Sequence, residues 1–567
     1  MELPADLSVS GIHHLPIITA FANRIRLVQT INHLVPSEMD VAPGRLVHLM
    51  VLDALAGRHP LYRIGAFFEN IDVELLVGEA VDPDYLSDDN FGRLLDHLYE
   101  ANTSRVFSHL AMNALEAFEI DSPHLHFDTT SMSVYGAYDP PEEDEAPSPF
   151  QITHGFSKNH RPDLKQFLVS MLCVGGNIPI FGKMEDGNAS DKTINNAVLS
   201  SISKKLAAVG LTPGASIYIA DSAMVTQQNL EVIGESTSFI TRLPATYKEH
   251  ERVVHEAVAA GAWDDYGILA KTPATPKRPA ARYRGCETTV TLYGKTYRVI
   301  VVHSSAHDRR RQKRLERRLA KEREACAKRL KEIAKTDYFC RDDAQAAAEA
   351  LHQEQRHYHD LDLVVEERPR YARGRPKADG SRTLTQMLYG ITGTVRERSH
   401  AVDTAREETG CFVLLTNVPP EGLADSPAPY DGKAILTAYK DQEGIEKNFS
   451  FIKDPVIVNS LFLKRPERIE ALGLILLIAL LLWRLMELSM RRHVKTTQTK
   501  LSGWDNKPTD RPTSFMMTTK FEGVLVLKTG AKRALARPLT TVQCSYLSAL
   551  GVPPSVFTQP PVVGGSP

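Results

Sequence analysis

Three acidic residues stand where phosphoryl chemistry could be done: Asp128, Asp221 and Glu446. Asp128 closes the apolar run His124–Phe127, and Asp221 closes Ile217–Ala220. Glu446 lies in a helical stretch after the run Phe412–Asn417. In open α/β sheets the reactive crevice lies beyond the carboxyl ends of the strands and beside the flanking helices. Carboxylates placed there are costly to bury unless they bind something. Their oxygens suit Mg²⁺, which takes one or two carboxylates and keeps waters and phosphate oxygens, with Mn²⁺ as a substitute. Two such ions about 3.5–4 Å apart activate a nucleophile and stabilise a leaving oxygen in a phosphodiester displacement. Taken singly, each Asp also fits a turn or a helix cap.

The stretch around Glu446 adds a pattern. Tyr439, Gln442, Glu446 and Lys453 are offset by three, seven and fourteen residues from the first. On one continuous helix, at about 100° per residue, they fall within roughly 60° of arc. A stripe of phenol, amide, carboxylate and ammonium suits a helix lying along a phosphate backbone. A solvated face with a coincidental repeat is the alternative, and Glu443, one position round, is the competing carboxylate.

These positions need a frame. Residues 1–115 carry apolar residues at helical spacing, as in Leu46, Leu49, Met50 and Ala54, with Asp88-Asp89-Asn90 as a helix start. Strands are expected at His124–Thr130, across Val169–Phe181 and at Ser216–Asp221, with a helix over Asp191–Val209 ended by Gly210. An acidic, proline-bearing loop fills Pro140–Pro149 and a basic linker Lys271–Pro279. Thr288–Val302 reads as a hairpin around Tyr293-Gly294, Asp308–Lys335 as a basic helix, Gln345–Asp360 as another helix and Arg368–Arg375 as a basic loop. Phe412–Asn417 is a strand, and a helix runs from Asp431 to about Lys453, where Asp454-Pro455 stops it. Ala471–Trp483 carries no charge but is too short for a membrane span, which needs roughly 18 residues or more, so a buried helix is expected. Val552–Pro567, rich in Pro and Gly, is expected to be disordered.

The 567 residues allow about three or four domains. A content of 43% hydrophobic and 24% charged residues excludes whole-chain disorder and collagen. Six cysteines without a CxxC pair give neither a zinc motif nor a disulfide framework and fit a reducing cytoplasm; Met1–Gly11 has no signal-peptide pattern. The net charge of −2 conceals an asymmetry. Residues 1–150 hold 24 Asp and Glu against 7 Lys and Arg, whereas 271–340 hold 20 Lys and Arg against 7 Asp and Glu. A polyanion would be drawn to the middle of the chain, unless the basic run is only a solvated helix face.

Several ordered motifs resemble the DDE transposases of bacterial insertion sequences, in the branch with a Y-x2-R-x3-E-x6-K signature. The matching text is AYKDQEGIEKNFSFIKDP, in which Gln442 stands where the signature has arginine. HFDTTS around Asp128, GFSKNHRPDLKQ at Gly155–Gln166, IADSAM around Asp221 and TRLP at Thr241–Pro244 complete the set over roughly residues 5–500. The resemblance implies an α/β fold: an RNase H-like catalytic core interrupted by an insertion domain and preceded by a helical N-terminal domain. The division it implies is 1–115 helical, 120–235 first part of the core, 236–405 insertion, 406–495 second part of the core and 496–567 a partly disordered tail.

It further implies Asp128, Asp221 and Glu446 as ligands of two Mg²⁺ ions, and Tyr439, Gln442 and Lys453 as DNA contacts. His160 and Arg161 would line the DNA path or, equally, form a capped turn before Pro162. The partners implied are double-stranded DNA, as element ends and target, and a second copy of the chain in a DNA synapse, with no membrane. Water would cut the element end, and the freed 3′-hydroxyl would attack target DNA. The acidic N-terminal domain would bind DNA ends through Arg24, Arg26, Arg45, Arg58 and Arg63, or contact protein. The rivals are a non-mobile nuclease on the same fold and a catalytically inactive DNA-binding regulator derived from a transposase.

Overall fold

The protein is described by a computed structural model at residues 7–57, 59–121, 123–136, 138, 148–158, 161–211, 216–233, 237–270, 279–306, 309–374, 380, 382–423, 429–453 and 463–561. The loop expected at 140–149, the linker at 271–279 and the helix stop at 454–455 lie wholly or mostly outside these residues. The chain is mixed α/β and divides into two compact units: Met1–Thr241 with Asn417–Tyr430 and Ala434–Pro567, and Arg242–Thr416 with Asp431–Lys433.

The first unit opens with a short strand, β1 (Ser8–Gly11), which the helical reading of this region did not anticipate. Seven helices follow: α1 (Leu15–Arg24), α2 (Leu27–Leu34), α3 (Pro43–Leu55), α4 (Leu61–Phe68), α5 (Val73–Val77), α6 (Asp88–Glu100) and α7 (Thr103–Ala117). The start of α6 shows why the acidic cluster sits there. Ser87 Oγ caps it by accepting from Asn90 N at 3.4 Å, and Asp88 and Asp89 occupy the first turn, where the helix dipole favours negative charge. Phe91, Leu94, Leu95 and Leu98 form its buried stripe.

Five strands of a nine-stranded mixed sheet carry the centre of this unit: β2 (His124–Val134), β3 (Lys165–Val174), β4 (Ile178–Glu185), β5 (Ile217–Ile219) and β6 (Ser238–Arg242). These five follow one another in the order β4-β3-β2-β5-β6. The first three strands form an antiparallel meander, and β5 and β6 run parallel to β2. Helix α8 (Asp191–Ala208), capped by Ser190 and followed by Gly210 at φ 75°, links β4 to β5; α9 (Gln227–Ile233) links β5 to β6. The strand region expected over 169–181 is the β3–β4 hairpin. β6 was not foreseen, because five residues with one apolar pair carry little signal.

The second unit contains α10 (Lys248–Ala260), β7 (Asp264–Ile268), β8 (Arg282–Leu292), β9 (Lys295–Ser304), α11 (Arg309–Ile333), α12 (Arg341–Gln353), β10 (His359–Tyr371), β11 (Leu384–Glu397), α13 (Ser399–Thr409) and β12 (Cys411–Thr416). The β8–β9 hairpin turns at Tyr293 and Gly294, both at positive φ, as a two-residue turn requires. Basic helix α11 is not simply a solvated rod. Leu315 and Leu319 bury against Val402 and Ala405, and Cys326 and Leu330 against Leu351 and Leu361.

Two expectations are corrected here. The helix read over 345–360 ends at Gln353, because His359 already starts β10. The basic loop 368–375 begins as strand, since Arg368–Tyr371 pair with β11. The strand expected at 412–417 is present as β12, which pairs antiparallel with β9.

The first unit, which resumes at Asn417, holds α14 (Gly432–Lys440) from Ala434 onward, α15 (Glu443–Ile452) and α16 (Pro466–Thr497). Helix α16 is long and apolar enough to cross a membrane, with a mean hydropathy of 2.2 over its best window, yet 89% of that window is buried within the protein. The charges that interrupt it face inward. Arg484 donates to Glu487 Oε2 at 2.5 Å and to Asn448 Oδ1 at 2.6 Å, and Asn448 Nδ2 reaches Cys173 Sγ at 3.2 Å and Asn177 O at 2.9 Å. This network pins α15 to the sheet. Removing one partner of such a buried pair costs about 3–5 kcal/mol, because a charge is left uncompensated.

The C-terminal region is folded as far as it is described: β13 (Leu501–Ser502), β14 (Pro508–Thr509), α17 (Ser514–Lys520), β15 (Leu525–Thr529), β16 (Lys532–Leu535) and α18 (Thr541–Leu550). The expectation of disorder from Val552 onward is overturned up to residue 561. Val552 is buried, and Phe557 is fully buried and stacked on Phe521 at 5.7 Å. The acidity of the N-terminal region also finds an answer here. Asp72 holds Arg533 at 2.6 Å with both side chains 2% exposed, Glu74 holds Lys528 at 2.8 Å, and Asp96 holds Arg468 at 2.7 Å.

The N-terminal helices also bury two histidines as neutral rings. His48 meets Thr19 Oγ1 at 3.2 Å and His14 meets Leu55 O at 3.2 Å; burial brings both down to about pH 4 from 6.5. The unfolded chain therefore takes up protons first as pH falls. Stability present above pH 6.5 is lost progressively toward pH 4, by on the order of 3 kcal/mol per ring. Thermal melts from pH 7.5 to 4.5 check this: His48→Gln is expected to lose less stability toward acid than the unaltered protein, since one of the buried neutral rings is gone.

Candidate active site

The parallel ladder between β2 and β5 ends at the pair His126–Ile219. Asp128 and Asp221 each lie two residues beyond that pair, Asp128 within β2 and Asp221 just past the end of β5, where it caps the turn Ser222–Met224. The two are near enough for the charge of Asp221 to raise Asp128. Asp128 does not end its strand, as the sequence suggested. β2 continues to Val134 because β3 goes on pairing with it, while β5 has stopped. The crevice opens where one neighbour of β2 ends.

Both carboxylates are partly buried and held in place. Asp128 Oδ1 accepts from Thr129 N at 2.7 Å, and Asp221 Oδ1 accepts from Ala223 N at 3.1 Å. Burial pushes Asp128 up to about 7; Lys158 and the Thr129 amide oppose the rise, and Asp221 and Asp191 add to it. Asp221 is raised as well, by burial first and by Asp191, against the Ala223 amide and Lys158. Two carboxyl groups that resist ionising together are short of positive charge.

Helix α15 lies over this crevice. Gln442 Nε2 donates to Phe127 O at 3.3 Å, next to Asp128. Glu446 is one turn further along, exposed, and on the side of the helix shared with Gln442. Lys453 caps the far end of α15; burial and the Lys158 charge lower it, and Asp128 opposes that. The stripe is not on one helix, however. α14 ends at Lys440, and i to i−3 bonds from Gln442 N to Tyr439 O and from Gly444 N to Asp441 O tighten the chain into an elbow. Tyr439 therefore stands before the break and the other three after it. Gly444 lets α15 come close, since a Cβ there would lie 1.9 Å from the Asn177 side chain. The rival Glu443 is exposed and pairs with Lys440 at 3.4 Å.

Arg161 is exposed, clamped by Asp163 at 2.7 Å, and donates to Tyr135 Oη at 3.3 Å. His160 lies outside the described residues. Two neighbours were not foreseen as site residues. Lys158 Nζ reaches Thr129 O at 3.0 Å, Thr129 Oγ1 at 2.8 Å and Asp191 Oδ2 at 3.1 Å, and Asp191 Oδ1 accepts from Thr129 Oγ1 at 2.5 Å. Lys158 stood in the motif at 155–166, but only the fold brings it to β2.

Among the described residues no three His, Cys, Asp or Glu side chains form a ready cage for a metal ion. A pair of oxygen donors with depressed ionisation and an open side nevertheless suits Mg²⁺, which binds through one or two carboxylates and completes its shell with water and phosphate.

Residues 7–112 match a family described as "Domain of unknown function (DUF4277)". No curated protein matches the chain.

Without divalent ions, Asp128 makes the fold less stable as pH rises. Its folded pKa of about 7 exceeds the unfolded 3.8, so the native state binds the extra proton between these values. Asp128→Asn is expected to raise the thermal midpoint of metal-free protein by several degrees at pH 8 and by little at pH 4. Scanning calorimetry in chelator checks this; equal shifts at both pH values would contradict it.

Proposed function

We propose that the chain is a DNA transposase of an insertion sequence, built on an RNase H-like core that cleaves and joins phosphodiester bonds. The observation that carries this reading is the approach of Asp128 and Asp221, each two residues past the last β2–β5 pair, beside the helix that bears Glu446. The sheet order, with an antiparallel meander beside two parallel strands, agrees with such a core. So does the second unit, which leaves the chain after β6 and returns before the glutamate helix. The basic helix α11 supplies charge for binding DNA by counterion release.

In this reading Asp128, Asp221 and Glu446 hold two Mg²⁺ or Mn²⁺ ions. When bound, the ions supply Lewis-acid activation and charge neutralisation. The chain's own residues position the reactants. Gln442 fixes the start of α15 against β2, Lys453 supplies a cation beside Asp128 for a phosphate, and the sheet holds the two aspartates without reorganisation. Strand transfer after cutting distinguishes a transposase from a non-mobile nuclease on the same fold.

The test uses DNA carrying the sequences that flank the gene, with Mg²⁺ or Mn²⁺, and reads cleavage and joining separately. Asp128→Asn and Glu446→Gln are expected to lower both by at least the roughly 100-fold that outer-shell changes can reach, while DNA binding persists. Glu443→Gln should stay active. Full cleavage by Glu446→Gln would remove Glu446 from the site and favour Glu443, and cleavage without joining would favour the nuclease.

A further inference from the structure

We infer that Lys158, Thr129 and Asp191 form a clamp that positions the metal-binding Asp128, with Lys158 as a positioning residue and not a substrate contact. This rests on the two-metal reading above and deepens it.

An ammonium has three protons to donate. Lys158 Nζ has four acceptors within reach: Thr129 O at 3.0 Å, Thr129 Oγ1 at 2.8 Å, and Asp191 Oδ1 and Oδ2 at 3.2 and 3.1 Å. Its protons are therefore committed within the protein. The hydroxyl of Thr129 in turn donates to Asp191 Oδ1 at 2.5 Å, which closes a triangle of lysine, threonine and aspartate. Lys158 N also donates to Ser131 Oγ at 3.1 Å, so the segment that carries the lysine is itself tied to β2.

Thr129 joins this triangle to the reaction centre. Its amide donates to Asp128 Oδ1 at 2.7 Å, so the backbone that the clamp holds is also the donor that orients the carboxylate. The need for a clamp follows from the sheet. Past His126, β2 has lost β5 as a neighbour, and its backbone on that side is free of the ladder. Lys158 takes the Thr129 carbonyl, and Asp191, at the first turn of α8, ties the strand to a helix. Second-sphere partners of this kind commonly change metal affinity or activity by about 10–100-fold when removed.

Thr129→Val is the cleanest probe. It keeps the shape and β-branching, removes the hydroxyl that links Lys158 to Asp191, and changes no charge. Lys158→Met and Lys158→Arg complete the set. Mn²⁺ binding to the full-length protein is read by calorimetry, and Mn²⁺-dependent DNA cleavage in parallel. Thr129→Val and Lys158→Met are each expected to weaken Mn²⁺ binding about tenfold and cleavage by at least as much, with Lys158→Arg restoring part of both. Wild-type binding and cleavage in Thr129→Val would overturn the clamp while leaving the two-metal reading intact. Tighter Mn²⁺ binding in Lys158→Met would overturn it too, because the lysine would then act by charge and not by position. Absence of Mn²⁺ binding in the unaltered protein would overturn both readings. Should Lys158→Met not fold, Thr129→Val decides alone.

Discussion

A parallel ladder that stops early governs the candidate site. Because β5 ends at Ile219 while β2 runs on to Val134, Asp128 and Asp221 are left near each other past the last β2–β5 pair, with no further strand pairing between them. Two anionic groups so placed repel each other and lose hydration, and their raised protonation registers both effects. The surrounding structure answers in part with amides, from Thr129 and Ala223, and in part with the fixed charges of Lys158 and Lys453. The divalent ions proposed above would supply the remaining positive charge.

Holding α15 over that crevice requires a second device. The helix is short and begins at an elbow, so its own hydrogen bonds cannot set its position on the sheet. Gln442 anchors one end to the Phe127 carbonyl, and Asn448 anchors the middle to Cys173 and Asn177. Arg484 and Glu487 complete this from α16, which explains charges in the middle of the most apolar helix of the chain. A purely apolar contact would bury the same helix but would fix its rotation less firmly, because hydrogen bonds have direction and hydrophobic burial does not.

The charge asymmetry along the sequence resolves differently at its two ends. Three of the acidic residues near the N-terminus, Asp72, Glu74 and Asp96, pair inside the first unit with Arg533, Lys528 and Arg468, and so mark assembly of distant segments. The positive charge of α11 sits on a helix whose apolar residues recur at four- and seven-residue intervals and are buried, so its basic residues are turned away from the packed stripe.

Elements with strong periodicity or punctuation are legible from the residues alone: the helices before residue 118, the β8–β9 hairpin at Tyr293-Gly294, α8 with its Gly210 stop, the basic helix and the burial of α16. Local pattern suffices there because the signal spans many residues or depends on one residue's backbone freedom. It also singled out Asp128, Asp221 and the stretch around Glu446. Folding is what brings the first two near each other past the end of β5 and divides the glutamate stretch between two helices at Asp441–Gln442. It alone brought Lys158 and Asp191 to Thr129, and folded the Pro-rich end of the chain around Phe557. Such outcomes depend on which strand stops first and which segments meet, and contacts between residues hundreds of positions apart leave no periodic trace in the chain.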